Sequence, residues 1–235
     1  MVAEGPKVIR AAHEGGAEIR EIYLGPHADP AVEQLAESSG LVVQRLASGV
    51  IERVASTVTP QSEIALVARP AATLDSLATA WLVLVGVGIQ DPGNAGTMAR
   101  TALAAGASGI LFTEGSVDVF SPKTVRSSAG AVFALPVIEG IPAAEALDGI
   151  GGRGLTRIAT DAAAGDDLYE ADLPARTAVV VGNEAHGLPA ALGPQLDRTV
   201  RIPMVGPADS LNVAVASAVV CFELLRRHRS TGGGA

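Results

Sequence analysis

Cysteine is nearly absent: the chain carries one, Cys221. A single thiol excludes an internal disulfide and any cysteine-rich metal site. Its place in the apolar run near the C-terminus makes it a packing residue rather than a nucleophile. Aromatic residues are scarce, at 3%. No stretch of about 20 uninterrupted apolar residues occurs, which excludes a membrane-spanning helix. The N-terminus also lacks the basic, then apolar, then small-residue order of a secretion signal, so a cytoplasmic protein is the expectation. Basic charge is short as well: 17 Lys and Arg stand against 25 Asp and Glu, for a net charge of −8. Phosphate backbones are gripped by Lys and Arg, so this balance argues against nonspecific polyanion binding and leaves only local basic patches open.

What is abundant is small and apolar. Nearly half of the 235 residues are hydrophobic and 27 are glycine, enough for one large core or two modest ones and too apolar for disorder. Ala, Val, Leu and Gly suit an α/β protein whose helices lie close on a sheet. Residues 1 to about 75 alternate short segments of the size found in a small α/β module. Pro6 starts a helix through Ala12, Ile19 to Leu24 reads as a strand, and Asp29-Pro30 opens a second helix ending near Ser39-Gly40. Leu41 to Gln44, Ser48 to Val54 and Glu63 to Ala68 follow as strand, short helix and strand. The segment opens in a helix, as though an earlier strand were missing. His13 and His27 have no acidic or thiol partner nearby and read as surface residues. The proline-broken run after Arg69 predicts a linker at 71–78, dividing a unit at 1–70 from one at 79–230, with 231–235 a flexible glycine-rich tail.

Trp81 to Val87 is a continuous apolar strand, the pattern of a sheet covered on both faces. It feeds Gly88-Ile-Gln-Asp-Pro-Gly-Asn-Ala-Gly-Thr-Met-Ala-Arg100, a glycine-rich turn opening a helix. Dinucleotide-binding spacing fails here, because Gly86 and Gly88 would require a third glycine where Asp91 stands. No Gly-Lys-Ser/Thr follows, which excludes a P-loop. Asn94 and Arg100 fall on neighbouring faces of that helix, as a cap and a solvated cation or as a site pair. Beyond the strand Gly109 to Phe112, Ser121-Pro122 starts a helix with Lys123 and Arg126 one turn apart, either solubilising charges or phosphate contacts. Ala131 to Pro136 reads as a strand, Ala143 to Leu147 as a helix and Leu155 to Ala159 as a strand. The polar connection Asp161 to Asp167 has no metal-binding spacing, and no metal is expected.

The apolar strand Ala178 to Val181 runs into Gly182-Asn-Glu-Ala-His-Gly187-Leu-Pro. A carboxylate at Glu184, directly after a buried strand, is partly desolvated unless a basic or hydrogen-bonding group meets it. His186 has no Ser or Cys partner, which argues against a hydrolase. The last such stretch, Ile202-Pro-Met-Val-Gly-Pro-Ala-Asp-Ser-Leu-Asn-Val, goes from a short strand through a loop to a long apolar helix. Asp209-Ser210 is placed as its N-cap, and the loop is either a structural cap or a ligand loop.

Three polar or glycine-rich turns, each at a strand end, resemble the SpoU (TrmH-like) branch of the SPOUT methyltransferases, RNA ribose 2′-O-methyltransferases that use S-adenosylmethionine. Asp91 to Arg100 is similar to the family's first motif, Val181 to Leu188 to its second and Ile202 to Ala216 to its third. Ser121-Pro-Lys-Thr-Val-Arg-Ser-Ser-Ala-Gly-Ala-Val-Phe133 is similar to a secondary block. The resemblance covers Trp81 to Arg227. It implies an α/β fold with a parallel-sheet methyltransferase domain closed by a C-terminal trefoil knot, preceded by a small L30e-like RNA-binding domain. It places Gly182, Ile202 and Leu211 on the donor's adenosine, with Met204 and Gly187 close by.

Arg100 would act at the ribose 2′-hydroxyl, as base or as electrostatic stabiliser; a guanidinium is always charged, which favours the second role. Asn94, Glu184, Ser210 and Asn212 would position Arg100 and the ribose, and Lys123 and Arg126 would contact RNA. A homodimer is implied, one subunit completing the other's active site, with rRNA favoured over tRNA as substrate. A noncatalytic RNA-binding protein that kept the fold is the alternative from a different class. An ordinary nucleotide-dependent α/β enzyme is weakened by the failed glycine spacing.

Overall fold

The computed structural model describes residues 1–54, 60–207 and 209–230; the tail expected at 231–235 lies outside the described residues. The chain opens with β1 (Val2–Glu4), α1 (Pro6–Glu14), β2 (Ile19–Leu24), α2 (Pro30–Ser38), β3 (Val42–Arg45), α3 (Ile51–Val54) and β4 (Glu63–Val67). These strands form a four-stranded sheet in the order β1-β4-β2-β3. A strand does precede the first helix, contrary to the expectation from sequence. Val2 to Glu4 is too short for an alternating pattern to show, and it is held by antiparallel pairing with Ile64 to Leu66.

The rest of the chain supplies β5 (Leu82–Gly86), α4 (Pro92–Ala104), β6 (Gly109–Thr113), α5 (Pro122–Ser127), α6 (Ala131–Ala134), β7 (Val137–Ile141) and α7 (Ala143–Gly151). It continues through β8 (Thr156–Thr160), β9 (Asp166–Asp167), β10 (Thr177–Val181), β11 (Arg198–Arg201) and α8 (Val213–Ser230). Its sheet runs β7-β6-β5-β10-β8-β11-β9 with every neighbouring pair parallel. Strands β5, β6 and β10 are buried along their whole length, as both-face coverage requires. Leu82, Leu84, Ile110 and Phe112 face α4 and α8 through Met98, Ala99 and Cys221. Val83, Val85, Leu111 and Val180 face α7 through Leu147 and Ile150. Burial pushes the Cys221 thiol up to about 12, which leaves it a packing group. Among the described residues, no helix is long and apolar enough to cross a membrane.

The helix starts follow their caps. Asp29, Asp91 and Ser121 each accept a backbone N–H of the first turn, with proline next in line. The segment expected as a strand at Ala131 to Pro136 is instead the helical turn α6. Ala129 and Gly130 take left-handed φ values of 50° and 86°, reversing the chain after α5, and the strand begins only beyond Pro136. A Cβ at Gly130 would lie 2.4 Å from that of Ala11, so the reversal seats α6 directly on α1. The two sheets are therefore packed together, and Val8 and Ile9 share one core with Val132 and Phe133. Buried Glu4 faces Arg126 at 3.9 Å across the same junction.

The expected linker is anchored at both ends. Arg69 pairs with Asp118 and Glu139 and lies 4.7 Å over the Phe120 ring, while Leu77 is fully buried beneath the large sheet. At the C-terminus, α8 lies under the segment that links β9 to β10. Arg227 donates to the Leu168, Tyr169 and Ala171 carbonyls, and Trp81 stacks on His228 with ring centroids 4.3 Å apart.

Candidate active site

The carboxyl ends of β8, β10 and β11 open into a cavity of about 440 Å³. This is where an open parallel sheet leaves backbone groups free to meet a ligand. Gly182, Gly187, Ile202, Met204 and Leu211 all line it, together with Glu184, Ser210 and Asn212. Its wall also includes Thr160 to Ala163, where Asp161 accepts the Ala163 and Ala164 N–H groups and folds the loop inward. Those residues follow a strand end and were legible only as a polar connection. The lining contains two carboxylates, Asp161 and Glu184, and no Lys or Arg among the described residues.

The turn from Gly182 to Gly187 closes on itself. Asn183 and Gly187 exchange two backbone hydrogen bonds, of 3.1 and 2.8 Å, and a Cβ at Gly182 would sit 2.2 Å from the Gly187 carbonyl carbon. The glycine is thus required by the chain's own close approach, a reason independent of any ligand.

A hydrogen-bonded chain of side chains spans the cavity mouth. Asn212 Oδ1 accepts the Ala214 and Val215 N–H groups, at 2.9 and 3.3 Å. The cap of α8 is therefore Asn212 rather than the Asp209-Ser210 pair expected from sequence, because the helix begins at Val213, two residues beyond Leu211. With Oδ1 committed, the Asn212 amide nitrogen donates to Asn94 Oδ1 at 3.0 Å. Asn94 Nδ2 in turn donates to Glu184 Oε1 at 2.7 Å. The cap fixes the direction of the whole relay, since each amide can donate only from nitrogen. Glu184 is exposed; it stands at the rim, and the hydrogen-bonding group that meets it is the Asn94 amide.

Asn94 is held from behind. Ser127 donates to the Pro92 carbonyl at 2.7 Å, and a Cβ at Gly96 would fall 1.9 Å from the Ser127 hydroxyl, so α5 locks the first turn of α4. Arg100 is not part of this cluster. It is exposed on the far side of α4, in a separate groove of about 370 Å³ shared with Ala11, Glu14 and Gly130, and makes no hydrogen bond or ion pair among the described residues. Lys123 is exposed on α5, whereas Arg126 is half-buried toward Glu4.

A parallel sheet with a ligand-sized cavity at its strand ends, walled by loops from distant parts of the chain, defines an α/β ligand-binding protein with a hydrogen-bonded polar cluster at the cavity rim. The chain belongs to the SpoU rRNA methylase family, whose pattern matches residues 81–222. It is 36% identical over 187 residues to the 23S rRNA (guanosine(2553)-2′-O)-methyltransferase RlmP of Bacillus subtilis, covering 79% of this chain and 73% of that protein. The AdoMet-bound rRNA methyltransferase from Sinorhizobium meliloti superposes with a TM-score of 0.85 at 31% identity, over 96% of this chain and 87% of that one. The SpoU methyltransferase AviRb from Streptomyces viridochromogenes, in complex with AdoMet, gives 0.89 at 28% identity, over 98% and 91%.

Proposed function

We propose that this protein transfers a methyl group from S-adenosylmethionine to a ribose 2′-hydroxyl of 23S-type ribosomal RNA. One observation carries the reading: Asn94, Glu184 and Asn212, from three separate turns, are hydrogen-bonded to one another at the rim of a single ligand-sized cavity. The cavity fits the donor by size and by charge. Its carboxylates and lack of cations suit a molecule that bears a sulfonium and an ammonium group. When bound, the donor supplies a methyl already activated for attack. The chain's own task is then to hold the ribose and stabilise the oxygen as it becomes nucleophilic.

In this reading the apolar side chains of Ile202, Met204 and Leu211 flank the adenosine, beside the backbone of Gly182 and Gly187. Asn94 and Glu184, fixed by the Asn212 cap, orient the ribose, with Ser210 beside them. Arg100 supplies the positive charge for the developing alkoxide and its neighbouring phosphate. It lies across α4 from the cavity of its own chain, which supports a homodimer in which one copy's Arg100 serves the other's cavity. An exposed apolar stripe on α8, with Val215 48% and Phe222 47% accessible, offers the contact surface.

The same proposal includes a trefoil knot, supported by the course of α8 beneath the segment pinned by Arg227. It also includes an L30e-like role for residues 1–70 in gripping RNA, with Lys123 and Arg126 near the junction, a linker at 71–78, and a cytoplasmic location alongside ribosomes. Mapping 2′-O-methylation across rRNA and tRNA from cells with and without the protein tests the reading. One rRNA ribose should lose its methyl group, and loss confined to tRNA, or no loss at all, would overturn it.

A further inference from the structure

The geometry points to Asn183 as a positioning residue that sets the register between the donor cavity and the polar rim, an inference that rests on the methyl-transfer reading above. Both ends of its side chain are engaged. Oδ1 accepts the Ala185 and His186 N–H groups at 2.9 and 3.2 Å, shaping the turn that walls the cavity. Nδ2 donates to the Gly88 carbonyl at 2.8 Å, across 95 residues of sequence. Gly88 belongs to the loop that leads into α4, and that loop is rigidly seated. Gly88 N–H donates to the Thr113 hydroxyl at 3.2 Å and Ile89 N–H to the Ser116 hydroxyl at 3.1 Å. Val117 N–H returns to the Ile89 carbonyl at 2.7 Å.

One side chain therefore braces the six-residue turn from Gly182 to Gly187 against the loop that leads into α4. The residue next to Asn183 is Glu184, and the helix beyond Gly88 begins with the turn that carries Asn94. Glu184 and Asn94 meet only through exposed side-chain ends, where a single hydrogen bond contributes little to holding two loops in place. The brace behind them does that work from half-buried ground. A shift of about an ångström between the two loops would misplace the ribose while leaving the cavity walls formed, and such shifts cost on the order of 100-fold in rate.

Asn183→Asp separates the two halves of the role. It keeps both acceptor functions in the turn and replaces the donor to Gly88 with a carboxylate facing a carbonyl. Asn183→Ala removes both. Three measurements on the full-length protein decide the matter: S-adenosylmethionine affinity by calorimetry, single-turnover methyl transfer to the rRNA substrate, and the thermal midpoint. Asn183→Asp should bind the donor within about threefold of wild type and lose about 100-fold in turnover, whereas Asn183→Ala should lose both binding and turnover.

Turnover of Asn183→Asp within threefold of wild type would overturn the proposal. A loss of donor affinity as large as the loss of turnover would do so too, since Asn183, which also lines the cavity, would then act by touching the donor and not through the brace. So would rates that fall only in proportion to the folded fraction. Failure of the methyl-transfer reading is distinguishable, because wild-type protein would then bind no donor and methylate no RNA.

Discussion

Two hollows lie on either side of the Asn94 end of α4, and they differ in charge: one is acidic, the other balanced. The cavity at the strand ends is walled by Asp161 and Glu184 with no Lys or Arg among the described residues, while the groove on the other side carries Arg100 beside Glu14. A guanidinium inside the cavity would repel a sulfonium-bearing donor at close range. A guanidinium kept outside can serve a reaction centre without weakening donor binding. Under the proposed function, donor binding and stabilisation of the nucleophile are divided between the cavity and the Arg100 groove, and the proposed homodimer is what would bring them together.

The sharpest way to break this division is Arg100→Ala. Methyl transfer should fall by about 1,000-fold while S-adenosylmethionine affinity, measured by calorimetry, stays within about twofold. A matching loss of affinity would merge the two hollows into one site. Gly182→Val attacks the other hollow. Its Cβ meets the Gly187 backbone at 2.2 Å, so the turn must move, and donor affinity should drop by about 100-fold; unchanged binding would show that the donor does not rest on this part of the wall. Glu184→Gln should lower single-turnover rates by about 30-fold with donor affinity nearly kept, because Asn94 can still donate to the new amide oxygen while the negative charge is gone.

The smallest effect concerns α8 itself. The Arg226 hydrogen bond, with Arg227 adding to it, holds the Glu223 carboxyl at about 2 instead of its ordinary 4.5. The stabilisation this provides is complete above pH 4.5 and is lost as the pH falls toward 2. Glu223→Gln should flatten the acid limb of a stability curve measured by denaturant titration and leave its neutral part little changed in slope.

Much of this was legible in the chain because the signals were local. Continuous apolar runs at Leu82, Gly109 and Ala178 announced covered strands, and Asp29-Pro30 and Ser121-Pro122 announced helix starts within a residue, whereas the cap of α4 is Asp91 and not Asn94, which sits in the first turn and donates its N–H to Asp91. What was not legible depended on distant partners. β1 is three residues long and owes its existence to pairing with β4, more than sixty residues away. α6 was read as a strand because its composition is apolar, whereas Ala129 and Gly130 at positive φ, packed on Ala11, decide its conformation. Among the site residues, Asn94, Glu184 and Asn212 were found as motif members, yet the order of their bonds follows from Asn212 acting as the cap. Asn183 carries no mark in sequence that distinguishes a brace from a turn residue. Spacing placed Arg100 on a face next to Asn94, and only the packing of α1 against α6 shows that this face opens into another groove.

The stack of Trp81 on His228 joins the first residue before β5 to the last turn of α8. Because Trp81 is the chain's one tryptophan, and its indole N–H is also engaged with the Gly106 carbonyl at 2.8 Å, the protein carries an intrinsic optical reporter of whether its final helix is seated. Near-ultraviolet dichroism or emission at a single wavelength then follows the docking of the C-terminal end with no label added.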